Sequence, residues 1–141
     1  MKTMNWKDAI EFCKNLNYAG HNDWRLPTIE ELLTLVDRSK YKPALPAGHP
    51  FLSGQSSYYW SGSTYAYGTN YAWYVFMDYG FVYNDYKTSS YYVWPVRSGQ
   101  YDEFGDLLLC RETVNRFTDN GDGTVADNRS GLVWIKDLGE L

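Results

Sequence analysis

The chain has 141 residues, a length that fits one domain, and 44% of them are apolar, enough to build a single core. Its net charge of −4, with Lys and Arg scattered singly, excludes the clustered basic surface that non-specific nucleic-acid binding needs, so no nucleic-acid partner is expected. No run approaches the roughly 18 consecutive apolar residues of a membrane span, so no membrane insertion is expected, and the opening MKTMNWKDAI shows no apolar stretch of a signal peptide.

In residues 5–19, Trp6, Ala9, Ile10, Cys13 and Leu16 recur at helical spacing, which predicts a first helix. Asn5 suits its N-cap, and Gly20 suits the left-handed position that closes it. After the turn GHNDWRLP, the run TIEE at 28–31 is a capping box: the Thr28 hydroxyl accepts a free N–H and Glu31 reaches back. Ile29, Leu32, Leu33, Leu35 and Val36 form the apolar stripe of a second helix that should fade near Arg38. Residues 39–57 carry Pro43, Pro46 and Pro50 and read as loop, with Phe51 and Leu52 as anchors.

From Tyr58 the period becomes two. YYWSGST reads as a short strand. In AWYVFMD, Trp73, Val75 and Met77 should point inward, and Tyr74, Phe76 and Asp78 outward. Gly80 marks a turn, FVYND returns, and YYVWPVR is the last strand of this part, with Pro95 suggesting an edge or a bulge. The tyrosines are therefore expected outside the core, on one face of a hairpin whose other face is buried, and the tryptophans Trp6, Trp24, Trp60, Trp73 and Trp134 within it. Residues 98–115 read as a connection, and RFTDNGDGTVADNRSGLVWIKD as three strands joined by two tight turns. The domain plan is thus a main body over 1–97, a connection over 98–115 and a hairpin region over 116–141.

Four motifs, DWRLPTIEEL, YYWSGST, YVWPVR and RFTDNGDGTVADNRSGLVWIKD, give the chain a resemblance to the C-terminal domain family of collagen-like bacterial adhesins (Lcl_C). The resemblance implies an α+β, C-type-lectin-like fold, two helices packed on antiparallel sheet, related to formylglycine-generating enzymes. It also implies a secreted or cell-surface location. Trp6, Ala9, Cys13 and the stretch from Asp23 to Thr28 match the family pattern, whereas Trp94 stands where the family carries an arginine. The segment that opens the family domain closes this chain. Three explanations stay open: a fragment of a tandem array, a permuted domain in which residues 116–135 supply the missing hairpin, or a homo-oligomer that exchanges those residues between copies. Left undocked, Phe117, Val125, Leu132, Val133 and Trp134 would expose a large apolar surface.

Reactive groups do not converge in the sequence. Cys13 falls on a helix core face and Cys110 in the connection, either as a Cys13–Cys110 disulfide or with Cys13 a buried thiol. His21 and His49 lie in turn and loop. The chain is read as no enzyme, with no cofactor and no metal. DNGDGT at 119–124 invites a calcium reading. With Gly123 at position 6 of an EF-hand loop, however, position 12 is Arg129, which cannot ligate, so a tight Asp/Asn/Gly turn is expected.

Eleven of the fourteen tyrosines lie between Tyr58 and Tyr92. Mixed with Asn, Asp, Ser, Thr and Gly, they make the alphabet of an antibody-like contact surface. The expected ligand-binding residues are Tyr65, Tyr67, Asn70, Tyr71, Tyr74, Phe76, Asp78, Tyr79, Phe81, Tyr83, Asp85, Tyr86 and Tyr91. This part also resembles the variable proteins of diversity-generating retroelements. There, adenine mutagenesis of Asn codons reaches Tyr, Asp, Ser, Phe and Asn but never Trp or Met; the outward positions here fall within the reachable set, whereas inward Trp73 and Met77 fall outside it. The reading is a non-enzymatic adhesion module whose face meets a protein or cell-surface glycan. The alternative is an assembly domain that oligomerises through its aromatic surface.

Overall fold

The computed structural model describes residues 2–52, 56–99 and 116–141. In chain order these form α1 (Trp6–Asn15), α2 (Ile29–Leu33), β1 (Tyr58–Thr64), β2 (Tyr71–Phe76), β3 (Phe81–Tyr86), β4 (Val96–Arg97), β5 (Phe117–Asp119), β6 (Thr124–Asp127) and β7 (Val133–Ile135). A turn of 3₁₀ helix, Leu138–Glu140, follows. The architecture is α+β: two small helices with one antiparallel sheet in the order β1-β2-β3 and another in the order β4-β7-β6-β5.

Both helix starts are where the capping residues put them. Asn5 accepts the amide of Asp8 at 2.9 Å. Thr28 accepts that of Glu31 at 3.1 Å, and the Glu31 carboxylate takes the Thr28 amide at 2.9 Å, completing the capping box. Both helices end sooner than their apolar spacing predicts. The first stops at Asn15 because Leu16 turns extended. Gly20 is left-handed, with φ 77°, but it serves the tight turn between Tyr18 and His21 rather than a helix cap. The second stops at Leu33. The Thr34 hydroxyl donates to the Glu31 carbonyl at 2.6 Å, and the chain continues in tighter i→i−3 turns that deliver Leu35 into the core.

The main core lies between the two sheets and holds Trp24, Leu32, Leu35, Phe51, Tyr59, Val75, Met77, Trp94, Trp134 and Leu138. A smaller cluster under α1 holds Ala9, Cys13, Leu26, Trp60, Ala72 and Val93. Successive residues of β1 thus enter different clusters, Tyr59 the first and Trp60 the second, so this strand is covered on both faces. Tyr59 is a correction to the expectation that the tyrosines stay out of the core: it is fully buried. Trp6 and Trp73 are corrections to the expected tryptophan core, both being only half-buried, Trp6 at the edge of the cluster under α1 and Trp73 against Tyr65. YYVWPVR is strand only at Val96–Arg97; Tyr91 and Tyr92 make isolated bridges, to Met4 and to Tyr59. Pro95 is buried just before β4, which is an edge strand, as a proline there requires.

The closing segment docks on its own chain. Val96 pairs with Trp134 and Arg97 with Val133, joining β7 to β4. The carboxylate of Asp127, fully buried, receives the Arg116 guanidinium at 3.0 and 3.1 Å. The same guanidinium donates to the Thr34 carbonyl, and the Tyr18 hydroxyl donates to Glu140 at 2.7 Å. Cys13 is a buried free thiol. Cys110 lies outside the described residues, as does residue pairing within most of 98–115.

Candidate binding face

Register decides which rings share a face. β2 and β3 pair as Tyr74↔Tyr83 and Phe76↔Phe81, and β1 adds Tyr58↔Phe76 and Trp60↔Tyr74. Alternation then puts Tyr58, Trp60, Ala72, Tyr74, Phe76, Phe81, Tyr83 and Asp85 on one side of the sheet. Tyr71, Trp73, Val75, Val82, Asn84 and Tyr86 are on the other. The expected single tyrosine face is therefore corrected: Tyr71 and Tyr86 belong to the opposite side from Tyr74 and Tyr83.

On the first side the rings form a continuous chain. Tyr58 stacks on Phe76 with centroids 4.3 Å apart, and Tyr74 packs on Tyr91 at 4.7 Å. Tyr83 leans on Tyr74 at 6.2 Å. At the hairpin tip, Tyr79 contacts Phe81 at 5.9 Å and lies parallel to Tyr41, 6.5 Å away. Trp60 closes the floor against Tyr91 at 4.7 Å. Phe81 and Tyr83 remain 52% and 56% exposed, while Tyr74, Phe76 and Tyr91 are half-buried. Asp85 is fixed at the far end: its carboxylate accepts the Tyr91 hydroxyl at 2.5 Å and the Tyr86 amide at 2.7 Å. The Tyr91 bond holds the Asp85 carboxyl below the usual carboxylate range, and burial followed by that same bond pushes the Tyr91 phenol up. Near Tyr79 and Phe81 the face opens into a groove of about 440 Å³, rimmed by Arg38 and Lys40.

The second side carries a smaller group at the other end of the hairpin. Tyr71 packs on Tyr86 at 4.4 Å, and Tyr65 meets Trp73 at 5.1 Å and Tyr67 at 5.7 Å. Tyr67 is 91% exposed, and Asn70 and Ser90 are exposed beside this hairpin. Asp78 is not in a strand. It sits half-buried in the β2–β3 turn, with one carboxylate oxygen buried and unpartnered among the described residues.

Sequence reasoning missed Tyr41 and Tyr58. Tyr58 carried a usable signal, since it stands two residues before Trp60 on one strand. Tyr41 carried none, because its place beside Tyr79 is set by the loop that returns along Asp78 and Met77. A separate polar pocket of about 300 Å³ lies beside the DNGDGT turn and is lined by His21, Arg97, Asn120, Asp122 and Asp127. Its carboxylates are engaged: Asp122 accepts from Thr124 at 3.0 Å, and Asp127 binds Arg116. Gly121 and Gly123 are left-handed, as the tight turn requires. Among the described residues no group of three His, Cys, Asp or Glu is placed to hold a metal, and no helix is long and apolar enough to cross a membrane.

Two short helices on antiparallel sheets, with stacked rings displayed on an edge hairpin, define a small α+β domain with a preformed aromatic surface. The chain belongs to the Lcl C-terminal domain family (Lcl_C), whose model matches residues 1–97. No curated protein and no solved structure matched it.

Proposed function

We propose that this is a non-enzymatic ligand-binding module of the adhesion type, whose ligand is a protein or a cell-surface glycan lying across Tyr58, Tyr74, Phe76, Phe81 and Tyr83. The observation that carries this reading is a set of rings already stacked on a strand framework while Phe81 and Tyr83 stay more than half exposed. Rings fixed before contact lose little freedom on binding, and tyrosine adds a polar tip to a large apolar area. A sulfated glycan would call for a broad basic patch, which the net charge of −4 disfavours.

The fold is read as C-type-lectin-like, with residues 116–135 supplying the hairpin that opens the family domain. The β4–β7 pairing within one chain supports this, and so does the Tyr18–Glu140 bond between the two ends of the sequence. The face is further read as diversified. Exposure at Tyr67, Phe81, Tyr83 and Tyr86 supports that, as does full burial of Val75 and Met77, because exchange costs the fold little at the first set and much at the second. Sequencing codons 58–97 across a natural population checks this part; a uniform sequence would leave a fixed adhesin.

The binding reading is tested with the wild-type chain and a Phe81→Ser/Tyr83→Ser variant, both passed over a glycan panel and over intact cells. Retention of the wild type and its loss in the variant, at unchanged melting temperature, is the expected result. Equal retention of the two, or of neither, rejects the reading.

A further inference from the structure

Sheet edges are where unpaired backbone groups invite another strand, and folded proteins close them. Among the described residues, three of the four edges here are closed or short. β1 is bridged by Tyr92, whose amide and carbonyl bond Tyr58 and Trp60. β4 is bridged by Arg25, which exchanges both bonds with Val96 at 2.9 Å. β5 is only Phe117–Asp119. Among the described residues the edge of β3 has no such cover: it pairs there only with β2, without a bulge, and holds neither proline nor lysine between Phe81 and Tyr86.

The direction of the backbone groups follows from the ladder. The Lys87 amide bonds the Asn70 carbonyl at 2.8 Å, so in the alternating antiparallel pattern Asp85, Tyr83 and Phe81 bond to β2. Val82, Asn84 and Tyr86 then face outward. Tyr86 is already satisfied, its amide by Asp85 at 2.7 Å and its carbonyl by Ser89 at 2.9 Å. On the other flank, the Gly80 amide is held by the Phe76 carbonyl at 2.7 Å. The open window is therefore Val82 and Asn84, centred on Tyr83.

We infer that this window is the site where a second copy of the chain docks, β3 against β3, about a two-fold axis through Tyr83. In that register Val82 of each copy exchanges its backbone hydrogen bonds with Asn84 of the other, and the closed flanks at Gly80 and Tyr86 face each other and ask for nothing. The contact is isologous and stops by itself. Tyr83 meets Tyr83 of the second copy as a close, non-hydrogen-bonded aromatic pair, a favourable cross-strand combination. Charge is complementary as well: Asp85 of one copy comes opposite Phe81 of the other, at the mouth of the groove rimmed by Arg38 and Lys40. Pairing edge to edge leaves the ring-bearing side outward and makes it continuous across two copies. It is thus a different contact from an assembly that buries the face, and it does not depend on the identity of any ligand.

The test uses the full chain in sedimentation velocity over a concentration series. The expected result is a mass rising to that of a dimer, with Val82→Pro and Tyr83→Lys each weakening association about tenfold or more, the lysine by placing like charges opposite one another. Because Val82→Pro can impair folding, a second measurement uses Tyr83→Cys in a Cys110→Ser background. Across a non-hydrogen-bonded pair the Cα atoms are about 4.5 Å apart, within disulfide reach. Mild oxidation should link these chains much faster than a Tyr67→Cys control. A mass that stays monomeric, association indifferent to Tyr83→Lys, or linking no faster at position 83 than at 67 overturns the inference. So does a monomer whose Val82 and Asn84 amides gain exchange protection only with some other protein's extended segment.

Discussion

The indole N–H of Trp94 donates to the Ile135 carbonyl across 3.0 Å inside the core. It ties the end of the main body to the closing segment. The same ring packs edge-on to Phe51 at 4.9 Å and to Trp134 at 5.9 Å. An arginine at this position would have to bury a charge among three aromatic rings, those of Phe51, Tyr59 and Trp134. Trp94 is instead a neutral donor that both fills the space and satisfies one carbonyl.

Trp94→Phe keeps an aromatic ring but removes the donor, leaving a buried carbonyl unpaired beside a small cavity. The expected loss is about 2–3 kcal/mol in urea unfolding. Cleavage by protease within 116–135 should rise in the same variant, because the docking of β7 loosens before the body unfolds. Unchanged stability would mean that the Trp94–Ile135 bond contributes nothing net.

Gly123 has φ 93°, and a Cβ built there collides with the Tyr18 hydroxyl. Gly123→Ala therefore adds both backbone strain and a steric clash, for an expected cost of about 1–3 kcal/mol. Tyr18→Phe removes the colliding atom, so the double variant should recover part of the loss while keeping the strain. Additive losses in the double-mutant cycle would contradict the clash.

Five carboxylates lie below their ordinary range, each chiefly through one side-chain hydrogen bond: Asp23 from Arg97, Glu31 from Arg25, Asp37 from Ser39, Asp85 from Tyr91 and Asp119 from Lys136. A folded value below the unfolded one means that the unfolded chain takes up the proton first. The stability these groups contribute is present above the ordinary carboxylate range and is lost as pH falls through their folded values. Melting temperature should be flat near neutrality and drop from about pH 4 downward. Glu31→Gln keeps the capping box but loses the ion pair, so its acid dependence should be shallower. Because Arg25 is well exposed, the neutral-pH cost is only about 0.5–1 kcal/mol.

Burial pushes the Cys13 thiol up to about 12. In a Cys110→Ser variant, a neutral-pH thiol reagent should leave Cys13 unlabelled until the chain is unfolded. Labelling of the folded protein within minutes would show that the cluster under α1 opens readily.

Local chemistry was readable residue by residue. Asn5 and Thr28 set the helix starts because a cap acts within one turn, and the DNGDGT turn followed from left-handed glycines and short acceptor side chains. Helix ends were less legible, because Leu16 and Leu35 leave their helices to reach a core built by distant strands. The tyrosines were visible as a population but not as a surface. Their sorting onto two sides depends on β2–β3 register, and the choice of which side stays open depends on where α1, Trp60 and Tyr91 pack.

The sequence by itself determined the family, the caps, the turns and the supply of rings, since each rests on neighbours within a few residues or on a motif. Only the tertiary structure decided that Tyr59 is core and Tyr83 is surface, that Tyr41 joins Tyr79, and that residues 116–135 close on their own chain through β4. Those outcomes come from contacts between segments far apart in sequence, where the burial of one strand face is set by whatever the rest of the chain lays against it.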